Sequence, residues 1–388
     1  MIVVLADDFS GAAEIAGIAS RYGLRTILQT DIDLSGNYDV VIVDTNTRSK
    51  QEKEAREILK KIARTVSGSQ IEWIYKKIDS VLRGHITAEI ESLVTELNVN
   101  KILIVANNPS SGRVIKEKKY YIDDRKLHET DFRFDPEFPA KSSVVTDILG
   151  TSQLLPLFYI HAKDSINGSG IFIPEILQSE DLAKRASELD GETIPVGGSE
   201  FFKTLLESRG YKLFKKQSSE EKDQKGKRFF VLASTSQQTR ELCISLKKSK
   251  VSVCPIPCET LDTSALTDAC LRRWVNNIRS AFKENTTVVS AVLHPVNTVS
   301  GFPQALNIFI SHMIKEIVET IELDKLLVEG GATTSNLVRY LGWRNFTVLK
   351  EYSTGVVKLK IEKNPDCKLI VKPGSYQWPA HLHPVPNF

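Results

Sequence analysis

The chain predicts an α/β protein of two domains with mostly parallel sheets. Three observations lead there. Its 388 residues exceed what one hydrophobic core usually supports. Short apolar runs alternate with segments of helical periodicity along most of the length, the pattern of parallel, doubly wound sheets. A charged run without one apolar residue, Lys215 to Lys227, cannot bury a face and reads as a solvated linker. The expected division is 1–214, a linker at 215–227, and 228–388.

The first element is the run Met1-Ile-Val-Val-Leu-Ala, which breaks at Asp7-Asp8 and passes into a small-residue helix. A short apolar run ending in a polar break reads as a buried strand, and Ser10-Gly11 before Ala12-Ala13-Glu14 reads as the capped start of a helix. This turn puts two acids at the carboxyl end of a strand, where open α/β sheets bind ligands. Strands are expected at Arg25–Gln29 and Val40–Asp44. A helix carries Ala55, Leu59, Ile62 and Val66, and a strand at Glu72–Lys76 leads into Lys77-Ile-Asp79-Ser80 and Arg83-Gly84-His85. A helix with Ile90, Leu93 and Leu97 on one face precedes the apolar strand Ile102–Ala106. From Asn107 to Pro139 the periodicity fails, and a long functional loop is expected. Alternation resumes with helices near Ser143–Leu149, Asp181–Leu189 and Phe201–Ser208 and strands at Leu157–Ile160 and Thr193–Val196.

Beyond the charged run the pattern restarts. Strands are expected at Phe229–Ala233, Val251–Ile256, Thr287–Val292 and Leu326–Glu329, with helices at Gln237–Leu246, Leu271–Phe282, Ala305–Ile321 and Leu337–Leu341. Three closing strands, Thr347–Leu349, Val356–Ile361 and Leu369–Val371, run into Lys372-Pro-Gly-Ser-Tyr-Gln-Trp378.

A net charge of +3 does not call for a nucleic-acid partner. No apolar run approaches the ~20 residues that span a bilayer, and the first residues lack the basic region of a signal peptide, so a cytoplasmic protein without membrane contact is expected. Five scattered cysteines argue against a disulfide framework, and Cys254 with Cys258 reads as two ordinary thiols rather than half a zinc site. His294, His312, His381 and His383 could in principle bind metal, but His381 and His383 read better as a solvated tail and His312 as an ordinary core or surface histidine of a helix. No residues are assigned to a metal.

Three loops that follow strands of the first sheet carry the chemistry: Asp7-Asp8, Lys77 to His85, and Asn107 to Arg113. Arginine forks suit a carboxylate, and aspartates suit hydroxyls and can take a proton. Asp79 and Arg83 at i,i+4 also fit a local salt bridge, and both readings stand. In the second half, Glu329-Gly330-Gly331-Ala332-Thr333-Thr334-Ser335 joins a strand to a helix. Its glycines and helix start suit a phosphate, or simply a tight turn. Neither the P-loop nor the Rossmann fingerprint occurs in the sequence.

Ala6-Asp7-Asp8-Phe9-Ser10-Gly11-Ala12 resembles A-D-D-[FL]-T-G-A, Lys77-Ile-Asp79-Ser80-Val81-Leu82-Arg83-Gly84-His85 resembles K-x-D-S-T-L-R-G-N, and Gly330 to Ser335 resembles G-G-E-T-S. Together and in this order they resemble the four-carbon acid sugar kinases, which include threonate, erythronate and 3-oxo-tetronate kinases. The resemblance implies an N-terminal domain for the acid sugar and a C-terminal domain for ATP. It further implies Mg²⁺ as the nucleotide's cation, and phosphoryl transfer to a terminal hydroxyl in an interdomain cleft. It places Asp7, Asp8, Asp79, Ser80, Arg83 and Gly84 on the substrate side, with the three aspartates as catalytic candidates; Lys77 and Arg113, from the loops named above, complete the expected substrate-binding set. On the nucleotide it places Gly330, Gly331, Thr333, Lys372, Gly374 and Ser375, and Ser335 and Gly355 are further nucleotide candidates. Arg83 is the expected clamp for the substrate carboxylate. A kinase of another small hydroxy acid such as glycerate, and a sensor that binds both ligands without turnover, are the alternatives. A homodimer is compatible with the reading.

Overall fold

The computed structural model describes residues 1–135, 138–214, 226–233, 237–247, 249, 251–257, 263–292, 301–374 and 376–384. The chain divides into two compact units, Met1–Phe214 and Lys215–Phe388.

Unit 1 is built on β1 (Ile2–Ala6), β2 (Thr26–Gln29), β3 (Val40–Asp44), β4 (Trp73–Lys77) and β5 (Lys101–Val105), with β9 (Leu157–Ile160), β10 (Gly170–Pro174) and β11 (Thr193–Gly197). Its strand order is β2-β3-β1-β4-β11-β5-β10-β9. Every pairing within it is parallel. The helices are α1 (Phe9–Arg21), α2 (Glu52–Ser67), α3 (Ile86–Leu97), α4 (Val145–Leu149), α5 (Ser179–Ser187) and α6 (Ser199–Ser208). Alternate residues of a strand face opposite sides of its sheet. Val3 and Leu5 accordingly pack with Val41, Val43 and the Leu59–Ile62–Val66 face of α2. Ile2 and Val4 are left for the other face, and both are buried there as well.

The stretch expected to be a loop, Asn107 to Pro139, is structured. It holds an antiparallel sheet of β6 (Arg113–Lys116), β7 (Lys119–Ile122) and β8 (Arg125–Lys126). Ile115, Tyr120 and Leu127 carry this small sheet into the core formed by Ile78, Leu82, Ile90 and Ile104. Its many charges hid the strands, because β6 and β7 each bury one residue, Ile115 and Tyr120, and β8 buries none. Strand β10 was also missed, since its Gly-Ile-Phe-Ile-Pro run is bracketed by the two residues that most often mark turns.

Unit 2 contains β12 (Arg228–Leu232), β13 (Ser252–Pro255), β14 (Thr287–Ala291), β15 (Lys325–Glu329), β16 (Asn345–Ser353), β17 (Val356–Ile361) and β18 (Lys368–Lys372). Its helices are α7 (Gln237–Lys247), α8 (Asp268–Glu284), α9 (Phe302–Thr320) and α10 (Gly331–Tyr340). The strand order is β13-β14-β12-β15-β18-β17-β16. Pairing is parallel from β13 to β18 and antiparallel at β17 and β16. Most of the proposed linker, 215–225, lies outside the described residues.

Cys270 is disulfide-bonded, which departs from the all-thiol expectation. Cys243, Cys254 and Cys367 are free, and Cys258 lies outside the described residues. Among the described residues no helix is long and apolar enough to cross a membrane.

Candidate active site

Register decides what meets at the carboxyl edge of the unit 1 sheet. Ala6, the last residue of β1, lies opposite Asp44 on one side and Lys77 on the other, so three strands end level. The turns that follow them therefore crowd together. Asp8 begins α1 with an extended backbone (φ −144°), and its Oδ1 accepts from the Gly11 backbone N–H at 2.8 Å. The cap is thus Asp8, not Ser10. Ser10 already lies inside the helix and donates its hydroxyl to Asp8 Oδ2 at 2.7 Å.

The central group is one that sequence reasoning missed. Arg48 follows β3 and is carried over the end of β1, where its backbone N–H donates to the Asp7 carbonyl at 3.2 Å. Its Nε and Nη2 donate to Asp7 Oδ2 and Oδ1 at 2.8 and 2.9 Å, and its Nη1 donates to Asp8 Oδ2 at 2.9 Å. The same Nη1 lies 3.7 Å from Asp79 Oδ1. The only signal in the sequence was the polar Thr45-Asn-Thr-Arg48 run directly after a buried strand.

Asp79 is held from the other side by Arg83, through Nε to Oδ2 at 2.9 Å and Nη2 to Oδ1 at 2.8 Å. Arg83 Nη1 reaches Asp135 Oδ2 at 2.8 Å, another residue absent from the expected set. The local i,i+4 salt bridge is therefore formed. Lys77, buried at the end of β4, donates to the Ile78 carbonyl at 2.9 Å. Arg113 Nη1 donates to the Ser80 hydroxyl, and the Tyr120 hydroxyl donates to the Ser80 carbonyl. Gly84 (φ +98°) passes so near Asp7 that a Cβ there would stand 3.6 Å from Oδ2. All eight expected residues of this half are brought to one edge.

Burial by itself would raise the Asp8 carboxyl, but Arg48 and Lys77, with the bonds from Ser10 and Gly11, hold it below its ordinary value. Burial likewise opposes ionisation of Asp79, and Arg83, Arg48 and Lys77 outweigh it by far. Both acids are anions at neutral pH. Such carboxylates accept hydrogen bonds from hydroxyls and cannot donate them.

In unit 2, Glu329 ends β15 opposite Lys372 of β18, with both side chains 1% exposed and Nζ 3.1 Å from Oε2. Trp378 Nε1 donates to Glu329 Oε2 at 3.1 Å, and the Thr239 hydroxyl donates to Oε1. Lys372 Nζ also donates to the carbonyls of Pro373 and Tyr376 at 2.9 and 2.5 Å. Burial pushes the Glu329 carboxyl up and the Lys372 ammonium down, each partly offset by the other. These groups line a cavity of about 410 Å³ with Tyr376, Gln377 and His383.

Gly330 has φ +106°, which only glycine adopts readily, and its N–H donates to the Lys372 carbonyl at 2.9 Å. Helix α10 starts at Gly331. Thr333 points its hydroxyl at Asn307 Oδ1, 2.8 Å away, and Ser335 is fully buried. Gly355 (φ +74°) lies under the Tyr376 ring, where a Cβ would come within 2.5 Å of Cε2. Gly374 follows Pro373 at the end of β18, and Ser375 lies outside the described residues, as does His294. His383 is no solvated tail: buried Leu382 anchors it and it faces the cavity, while His381 packs against Tyr352. His312 stacks on Tyr340 at 4.6 Å between centroids.

Among the described residues no group of three or more His, Cys, Asp or Glu side chains is arranged to hold a metal ion. Asp7, Asp8 and Asp79 do converge, but on a guanidinium, which occupies the place a cation would take. The described residues do not form a Mg²⁺ cage.

Residues 2–194 match the family model of a sugar-binding N-terminal domain, and residues 229–376 that of a nucleotide-binding C-terminal domain. The chain belongs to the four-carbon acid sugar kinase family. It is 26% identical over 198 residues to a D-erythronate kinase of Heliobacterium modesticaldum, covering 50% of this chain and 45% of that protein. It is 26% identical over 217 residues to a D-threonate kinase of Salmonella typhimurium, covering 51% of each. In these matches the chain spans about half the length of the curated relatives. A 3-oxo-tetronate kinase of Haemophilus influenzae is 24% identical and aligned over 97% of both chains. Crystal structures of a Salmonella typhimurium LT2 protein and a Haemophilus influenzae protein share the fold, with TM-scores of 0.74 and 0.67 at 18% and 19% identity. The first covers 97% of this chain and 96% of that one, the second 97% of both.

The structure gives physical reasons for this member's departures from the acid sugar kinase pattern. Ser10 supplies the same hydroxyl to Asp8 that threonine would. Val81 points into the core, where an apolar group is at home. His85 Nε2 is 2.7 Å from the Lys50 carbonyl, so that nitrogen carries a proton and ties the turn to the Arg48 loop.

Proposed function

We propose that the protein is an ATP-dependent kinase that phosphorylates the terminal 4-hydroxyl of a four-carbon acid sugar, with threonate, erythronate and 3-oxo-tetronate as the acceptors to test. One observation supports this above the others. Three carboxylates, two of them held ionised, meet a set of arginines at the carboxyl edge of the sheet in the unit that matches a sugar-binding domain. A polyhydroxy acid asks for that combination: acceptors for its hydroxyl protons and a cation for its carboxylate. Phosphoryl transfer in turn asks mainly for positioning and charge stabilisation. In this reading one of Asp7, Asp8 and Asp79 orients the attacking hydroxyl, and Lys77 keeps Asp8 and Asp79 ionised.

The nucleotide belongs to unit 2. The first turn of α10 offers backbone N–H groups at the positive end of the helix dipole, beside a cavity that contains a lysine. Mg²⁺ enters with ATP, and no protein carboxylate is assigned to it.

A coupled ADP-release assay against threonate, erythronate, the 3-oxo-tetronates and glycerate tests the proposal. Turnover with a four-carbon acid is the expected result. Turnover with glycerate alone would move the protein to a kinase of shorter hydroxy acids. One observation favours a second reading, a sensor without turnover: the Lys372 ammonium is engaged by Glu329 and two carbonyls of its own loop. Binding of both ligands with no ADP from any acid would establish it.

A further inference from the structure

We propose that Arg113, rather than Arg83, receives the carboxylate of the hydroxy-acid substrate, an assignment that rests on the acid-sugar reading of unit 1. Four cations stand at this edge, and two of them, both arginines, are committed to acids. Arg48 spends its Nε/Nη2 fork on Asp7 and its Nη1 on Asp8. Arg83 spends its fork on Asp79 and its remaining nitrogen on Asp135. Lys77 is buried, and its ammonium donates to the Ile78 carbonyl at 2.9 Å. A substrate carboxylate at either arginine would have to displace an acid already in place.

Arg113 differs. Its guanidinium has five N–H donors, and among the described residues its side-chain contact is one to a neutral group, the Ser80 hydroxyl. No carboxylate of the described residues pairs with it. Its backbone is nonetheless tightly fixed. The Arg113 N–H donates to the Asn108 carbonyl at 3.0 Å, and its carbonyl accepts from the Asn108 N–H at 2.8 Å. Gly112 before it has φ +65°, a left-handed conformation that favours glycine, and packs closely against the Asp123 side chain. Ser80, the contact of the guanidinium, is itself fixed by Tyr120, whose ring is fully buried. A half-buried guanidinium on a rigid backbone, with its fork unfilled, is prepared for a planar anion. Ser80 adjoins Asp79, so a carboxylate on Arg113 would bring the substrate's hydroxyls toward the aspartates.

The test compares each tetronate with the tetritol of the same hydroxyl stereochemistry, which lacks the charge. The tests use wild type, Arg113→Ala and Arg83→Ala, with turnover read by ADP release and binding by calorimetry. For Arg113→Ala the acid's KM should rise about 10- to 100-fold, the size expected from losing a charge-assisted contact. The preference for acid over tetritol should fall toward unity, with the KM for ATP unchanged. Arg113→Gln reads the same quantities if the alanine variant does not melt cooperatively. An Arg113 variant that keeps the acid preference, with Arg83→Ala losing it, overturns the assignment. Wild-type binding of tetronates without ADP would sink the kinase reading alone, because calorimetry on the variants still decides Arg113. Absence of any tetronate binding by wild type would overturn both.

Discussion

Arg48 grips Asp7 through two parallel hydrogen bonds, Nε to Oδ2 at 2.8 Å and Nη2 to Oδ1 at 2.9 Å. Residues 41 positions apart are thereby locked at the ends of adjacent strands. The arginine's pairing makes possible the burial of Asp7, Asp8 and Asp79 within one small volume. Replacing Arg48 by alanine strips Asp7 of this partner, and removing one partner of a buried pair costs about 3 kcal/mol. Urea denaturation of Arg48→Ala should show a loss of that order. Arg48→Lys should recover part of it, because a lysine keeps the charge but not the fork.

Asp8 does two separable things: it caps α1 and it carries charge. Asparagine caps about as well as aspartate, whereas alanine costs about 1 kcal/mol at such a site. Asp8→Asn should therefore be more stable than Asp8→Ala by about that amount. If the charge is what orients the acceptor hydroxyl, kcat should fall together in both variants. Denaturation midpoints and ADP-release rates on the same preparations separate the two roles, and full kcat in Asp8→Asn would remove Asp8 from the mechanism.

The pH dependence follows from Asp79, whose folded-state pKa is held well below its ordinary value by Arg83, Arg48 and Lys77 against the opposing effect of burial. A depressed carboxylate contributes stability that is fully present above its unfolded pKa of about 3.9 and is lost as pH falls toward the folded value. The wild-type denaturation midpoint should therefore decline from about pH 4 downward. In Asp79→Asn the decline should be shallower while stability at pH 7 is lower. An equally steep acid decline in both proteins would show that other groups dominate it.

Gly355 tests the cavity of unit 2. A side chain there meets both a positive φ and the Tyr376 ring. Gly355→Ala should cost about 1 kcal/mol in backbone strain and push Tyr376 from its place on the cavity wall. Under the proposed roles the KM for ATP should rise several-fold while the KM for the acid sugar stays level. The opposite split, read from two-substrate kinetics, would reverse the assignment of the units.

The fold class was legible because the signals that announce it are local. The apolar run Ile2–Ala6 and the Leu59, Ile62 and Val66 stripe of α2 repeat at strand and helix periods, and those periods survive in any tertiary context. The stretch from Asn107 to Pro139 was not legible, because β6, β7 and β8 are short and charged, and only Ile115 of β6 and Tyr120 of β7 are buried. Strand β10 escaped for a related reason: a glycine and a proline bound a run too short to establish a period.

The sequence by itself determined the alternating architecture, the family, and the acid turn after β1, since each is written in residues close to one another along the chain. Only the tertiary structure decided that Arg48 sits at the centre of that turn, that Asp8 rather than Ser10 caps α1, and that Glu329 pairs with Lys372. Each of these depends on which strands lie side by side and on the register at which they end. An arginine in a polar loop carries no mark of the carboxylates it will meet. Its partners are chosen when β1, β3 and β4 finish level and their turns are pressed together, with charges that burial leaves no alternative but to pair.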